Sequence, residues 1–196
     1  VCTISTKQDA TIAAFDIDYA HDPAKLVHDP TVDGLRFKIR YQGSTVPVFI
    51  PGAVGLPTVY SALFAIACGV QLGMNLVDIV SALQTYQGPN GRLRLLPGKQ
   101  QSVILDDTYN SSPAAAKEAL KILHEFKTPG RRIAVLGVMA ELGSYAKRSH
   151  VAIGRLLAEL EIDQLIAIGK EGRWIGEAAI EHGFRPAAVT YAEATD

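Results

Sequence analysis

Two adjacent carboxylates, Asp106 and Asp107, end an apolar run in ILDDTYNSSPAAA, residues 104–116. Such groups accept hydrogen bonds from ribose hydroxyls, or else stay in water and cap turns. Tyr109 and Asn110 follow at once and add a phenol and an amide, each able to donate and accept. A second cluster comes at VLGVMAELGSY, residues 135–145, where Glu141 and Gly143 interrupt an apolar run. His150 follows on the next amphipathic stretch. Upstream, the turn-rich GPNGR, residues 88–92, ends in Arg92, whose rigid donor fork suits phosphate or ribose oxygens. Each group also has a structural reading: turn caps for the two Asp, a solvated charge for Arg92, a half-buried helix-face histidine for His150.

The elements around these residues are legible from their periodicity. In the first hundred residues, ATIAAFDIDY reads as a strand. GLRFKIRY, the break at Gln42-Gly43-Ser44 and Val46 to Ile50 read as a hairpin. Helical spacing then runs from Pro57 to Leu72 with Gly73 past its end, and from Leu76 to Tyr86 behind Asn75. From Ser102 onward the pattern alternates. Strands are expected at SVILDD, RRIAVLGV, QLIAIG and AAVTY. Helices are expected over Pro113–Phe126, Lys147–Leu160 and Arg173–His182. Apolar strands separated by amphipathic helices predict an α/β fold, a doubly wound parallel sheet covered on both faces. In such sheets ligands bind outside the carboxyl ends of the strands, where Asp107 and Glu141 are expected. Alternation along a strand aims one Asp of the pair at that crevice and the other at a neighbour.

Composition narrows the class. Of 196 residues, 48% are hydrophobic and 20% charged, which suits a globular chain. Lys plus Arg number 19 against 20 Asp plus Glu, and no basic run argues for nucleic acid or anionic lipid. The two cysteines, Cys2 and Cys68, have no metal-ligand spacing and read as reduced thiols. No apolar stretch is long enough to span a bilayer, so no membrane partner is expected. The chain begins with Val1 rather than Met, which leads us to expect a piece of a longer polypeptide.

The order GRL, DDTYNSSP, a strand ending VLGVMAELG, then His150 resembles the Mur ligases. It is most similar to the branch that reads GR, DDSYNANP, LGDMxELG and a downstream His. VYSALFAIACGVQLG looks like the helix that follows a Gly-x-His-Asn turn in that family's central domain. The resemblance covers nearly the whole chain. It implies residues 1–99 as the last part of a central ATPase domain and residues 100–196 as most of a Rossmann-like C-terminal domain. It also implies a bacterial cytoplasmic enzyme of peptidoglycan precursor synthesis, and through it of cell shape and division. That enzyme joins D-alanyl-D-alanine to a UDP-N-acetylmuramoyl tripeptide, using ATP and Mg2+ through an acyl phosphate. Arg92, Asp107, Tyr109 and Asn110 would then serve the nucleotide, and Glu141 and His150 the peptide substrates. No catalytic residue and no metal ligand is assigned within this chain.

The sequence departs from the family at Pro57, Thr58 and Ser61, where His-Asn and a later Asn are expected. It departs again at Val138, where Asp is expected, and at Ser112 for the second Asn of the DD motif. No phosphate-binding G-x-x-x-x-G-K-[ST] is present; Gly98-Lys99 and Gly169-Lys170 lack the rest of the pattern. The chain alone is therefore expected to be inactive. Two alternatives stay open: another Mur or folylpolyglutamate-synthase-like ligase, and a non-catalytic binding or regulatory module built on this fold.

Overall fold

The computed structural model describes residues 2–7, 9–20, 34–126 and 128–193. They fall into two compact units, Val1–Asp106 and Asp107–Asp196, each around its own hydrophobic core. No helix of the described residues is long and apolar enough to cross a membrane.

The first unit is built on a sheet of order β1-β2-β3-β4, with β1 at Ile4–Ser5, β2 at Ile12–Ala20, β3 at Gly34–Tyr41 and β4 at Ser44–Pro51. β3 shows why it is a strand: Leu35, Phe37 and Ile39 point into the core while Arg36, Lys38 and Arg40 point out. The predicted hairpin is present. Gln42 and Gly43 both have positive φ, 47° and 80°, which gives the turn a twist matching that of its strands. Asp16, at φ 51°, marks a bulge in β2 and places its carboxylate 2.9 Å from Lys38 Nζ.

Helix α1, Leu56–Gln71, lays Val59, Leu63 and Ile66 on this sheet. It ends as the sequence predicts. Gly73 adopts φ 78°, Met74 N–H donates to Gly69 O and Gly73 N–H to Val70 O, each at 3.0 Å. Helix α2, Leu76–Leu83, starts at Asn75, whose Oδ1 accepts from Val77 N–H at 2.8 Å. Asn75→Ala is expected to destabilise the first unit by about 1 kcal/mol, the usual weight of an N-cap, and a urea melt of the variant checks it.

Strand β5, Arg94–Pro97, and strand β6, Val103–Asp106, form an antiparallel hairpin. Gly98 N–H donates to Ser102 O at 2.8 Å and closes the loop. On its other side β5 is held to the segment after β4, with Leu95 N–H donating to Gly52 O at 3.0 Å. The expectation that SVILDD opens the parallel sheet is therefore corrected. An apolar tetrapeptide carries no mark of its partner, and the strand just before it lies a five-residue loop away, so closure is entropically cheap.

The second unit runs α3 Pro113–Glu125, β7 Ile133–Leu136, α4 Ala146–Glu159, β8 Gln164–Ile168, α5 Gly169–Glu181 and β9 Val189–Ala192. Its sheet is parallel, in the order β7-β8-β9. This is the α/β class that the sequence predicts. The strands follow one another in sequence order, and the helices that connect them, α4 and α5, pack side by side. Leu165 and Ala167 of β8 are buried, and so is Ala134 of β7. Along β7, Ile133 and Val135 are 38% and 57% exposed. α4 and α5 approach closely at Gly154, where an added Cβ would stand 2.3 Å from Ile175 O. α5 starts before the expected Arg173. Gly169, at φ 73°, turns straight out of β8, and Gly172 brings the first turn against the Ala167 backbone.

Candidate functional site

The six residues singled out in the sequence divide between the units. Arg92 belongs to the first; Asp107, Tyr109, Asn110, Glu141 and His150 belong to the second. Each set is built by its own elements.

Arg92 is exposed at the end of the Gly88–Arg92 turn, and the backbone around it is firmly held. Asn90 Oδ1 accepts from Arg94 Nη1, and Asp106 Oδ2 accepts from Gly91 N–H at 3.1 Å. The next residue, Leu93, is buried, adopts φ 47° and accepts through its carbonyl from Val54 N–H at 3.3 Å. Arg92 is thus an exposed guanidinium on a fixed pedestal. Asp106, the first of the two carboxylates, braces that pedestal, which is the neighbour-facing role expected for one member of the pair.

Asp107 opens the segment between β6 and α3 and is half-buried, while Tyr109 is 73% exposed and Asn110 is exposed. The segment ends where Ser112 Oγ accepts from Ala115 N–H at 3.2 Å and Ala116 N–H donates to Ser112 O at 2.9 Å. Pro113 has no N–H to offer. The start of α3 is therefore largely satisfied from within and offers a poor cradle for phosphates. In its own unit Asp107 offers a carboxylate, a group that accepts from hydroxyls, and in the other unit Arg92 offers a guanidinium, a group that donates to anionic oxygens. Among the described residues no group of three or more His, Cys, Asp and Glu could hold a metal ion.

Glu141 is exposed in the loop joining β7 to α4 and holds a left-handed φ of 63°, followed by Gly143 at 51°. A non-glycine residue in that region is strained, so the loop is held by its surroundings rather than by local preference. Past it, the Arg148 guanidinium carbon lies 3.8 Å from the centroid of the exposed Tyr145 ring, a cation–π contact on the rim of the same loop. His150 is elsewhere: fully buried under the loop, with both ring nitrogens engaged by backbone. No nitrogen is left to meet a substrate directly. At the far edge of the sheet Tyr191 is held above its ordinary phenol value by burial first and then by Glu177, against the pull of Arg173.

The departures at α1 also have a clear geometry. Thr58 Oγ1 donates to Val54 O at 2.8 Å and Ser61 Oγ to Pro57 O at 2.9 Å. Both hydroxyls are turned back onto the helix backbone. Sequence reasoning missed the Asp106–Gly91 brace, the Tyr145–Arg148 contact and Trp174, whose ring meets His150 edge-on at 5.7 Å. The Tyr145–Arg148 contact was visible in principle, because residues three apart share a helix face. Trp174, the only Trp of the chain, was equally conspicuous.

Residues 91–196 match the family described as Mur ligase, glutamate ligase domain, and the chain belongs to that family. Within it, the chain is 30% identical over 164 residues to UDP-N-acetylmuramoyl-tripeptide–D-alanyl-D-alanine ligase of Bacillus subtilis, covering 84% of this chain and 35% of that protein. It superposes on MurF from Acinetobacter baumannii with a TM-score of 0.78 at 26% identity, over 98% of this chain and 38% of that one. MurF ligase from Thermotoga maritima, solved in complex with ADP, shares the fold at a TM-score of 0.70 and 20% identity, over 99% of this chain and 45% of that one. The chain thus spans roughly a third of the length of the curated relatives it matches.

Proposed function

We propose that this chain is the carboxyl-terminal part of a bacterial, cytoplasmic ligase that adds D-alanyl-D-alanine to UDP-N-acetylmuramoyl tripeptide in peptidoglycan precursor synthesis. The observation that carries this is the run of motifs, from Gly91-Arg92 through DDTYN to MAELG, along the span matched to relatives of that name. Residues 1–99 would end the ATPase domain, and residues 100–196 would form most of the domain that follows it. ATP with Mg2+, when bound, supplies the phosphoryl group that activates the tripeptide carboxylate. Within this chain Arg92 neutralises anionic oxygens, Asp107 accepts from the ribose, and Tyr109 and Asn110 line the nucleotide. The β7–α4 loop presents Glu141 towards the dipeptide.

A second reading is favoured by one observation. The hydroxyls of Thr58 and Ser61 are spent on the α1 backbone, and Val138 stands exposed where the family motif has a carboxylate. A binding module that no longer ligates would tolerate both. Phosphate release separates the two readings. The polypeptide that carries this chain is expected to release phosphate only when ATP, the UDP-linked tripeptide and D-alanyl-D-alanine are all present. Release that ignores the dipeptide, or none at all from the full polypeptide, would remove the ligase reading. The 196-residue chain by itself is expected to release none, since it contains no phosphate-binding Gly-rich loop.

A further inference from the structure

His150 is the one fully buried polar side chain among the described residues, and the proposed chemistry makes no direct use of it. Its two partners are both backbone groups of fixed polarity. Met139 N–H can only donate, so Nε2, at 2.9 Å, accepts and carries no proton. Ala146 O can only accept, so Nδ1, at 2.7 Å, carries the proton and donates. The tautomer follows from geometry alone, and a doubly protonated ring would set N–H against N–H at Met139. Trp174 of α5 closes the remaining side with its ring at 75° to the imidazole.

Met139 and Ala146 bracket the loop that carries Glu141, Gly143 and Tyr145. We infer that His150 is a positioning residue, a neutral clamp that ties both ends of the β7–α4 loop and thereby holds Glu141 in its left-handed conformation for the incoming dipeptide. The dipeptide part of this rests on the proposed function. The clamp itself rests on two hydrogen bonds, full burial and the edge-on tryptophan. A left-handed Glu has no local preference to keep it there, and Met139, only 2% exposed, supplies an apolar anchor beside the bond. An apolar side chain of the same size would fill the space and leave Met139 N–H buried without an acceptor.

The experiment uses the 196-residue chain in solution. Nitrogen-15 spectra of the imidazole are expected to show a protonated Nδ1 and a bare Nε2 at neutral pH. The opposite tautomer, or an imidazolium, would overturn the inference. Amide exchange then reads the clamp. In His150→Phe the protection of Met139 is expected to fall about tenfold and the Glu141 amide resonance to move. His150→Gln returns an acceptor near the Nε2 position and should restore protection to within about threefold, whereas His150→Asn, reaching only as far as Nδ1, should not. Amides of Leu165 and Ala167 in β8 monitor the fold. If they too lose protection in His150→Phe, the tautomer and the glutamine rescue decide the matter. Unchanged Met139 protection in His150→Phe, or rescue by Asn and not by Gln, would refute the clamp. Titrating wild-type chain with D-alanyl-D-alanine separates the clamp from its proposed purpose. A shift at Glu141 that His150→Phe abolishes supports both, while no shift alongside an intact tautomer and glutamine rescue refutes the peptide role alone.

Discussion

Gly154→Ala is expected to lower the melting midpoint of the second unit by roughly 10–20 °C, the equivalent of about 3 kcal/mol in a domain of this size. Local propensity argues the other way, because Ala in place of Gly inside a helix gains about 0.5–1 kcal/mol. Packing decides the sign. A Cβ on Gly154 would stand 2.3 Å from Ile175 O, 2.9 Å from Ala178 Cβ and 3.0 Å from Ala179 N, and none of these is the tip of a flexible side chain. α4 and α5 would have to separate along their shared face, opening the contacts of Ile153 and Leu157 with Ile175 and Ala179 in the core. Gly176→Ala is the matched control. Its Cβ would meet the ring of Tyr191 at 2.7 Å, but that ring is exposed and can swing aside, so a change within about 1 kcal/mol is expected. Thermal melts of both variants, recorded together, test the pair. A Gly154→Ala chain as stable as wild type would mean that the helices are not in the contact described.

Asp107→Ala in the polypeptide that carries this chain is expected to weaken ADP binding by about 1–3 kcal/mol, or roughly 5- to 150-fold, the range for hydrogen bonds to a charged group. Its melting midpoint should hardly move, since a half-buried carboxylate in a segment without regular structure supports little of the core. Asp106→Ala should behave differently. Its carboxylate accepts from Gly91 N–H, so its removal should raise amide exchange at Gly91 and cost about 1 kcal/mol in the first unit. The nucleotide should feel that change only through the loosened turn beneath Arg92. Calorimetric titration with ADP and amide exchange, run on both variants, check the division of roles. Equal losses of affinity, or an Asp107→Ala protein that binds as well as wild type, would return the motif to turn architecture.

The sequence was most informative where one residue type performs one local task. Asn75 and Ser112 cap the helices they precede, Gly73 ends α1, and the Gln42-Gly43 turn sets the register of β3 on β4. It was least informative where the outcome depends on a distant partner. Val-Ile-Leu-Asp of β6 would suit a parallel or an antiparallel ladder equally well, and only the proximity of β5 decides. α5 begins without a capping side chain, at Ile168 and Gly169, so its start could not be read from a Ser, Thr, Asp or Asn. The candidate site shows the same division. Arg92, Asp107 and Glu141 advertise themselves by charge beside turn residues, and the structure places them on segments outside regular helix and strand. The role of His150 was hidden, because both of its partners are backbone atoms that no residue letter records.

The seam between Asp106 and Asp107 has a consequence for modularity. Every strand pairing described here lies wholly on one side of it, and the residues from Asp107 to Ser112 belong to no helix or strand. A chimera joined at that bond, with one half taken from a relative, would inherit each ladder and each core intact from a single parent. Grafting at the Pro97-Gly98 turn would instead cut the hairpin in two and ask strands of different ancestry to find a common register. The two letters that look like a doublet are, in engineering terms, the end of one cassette and the start of the next.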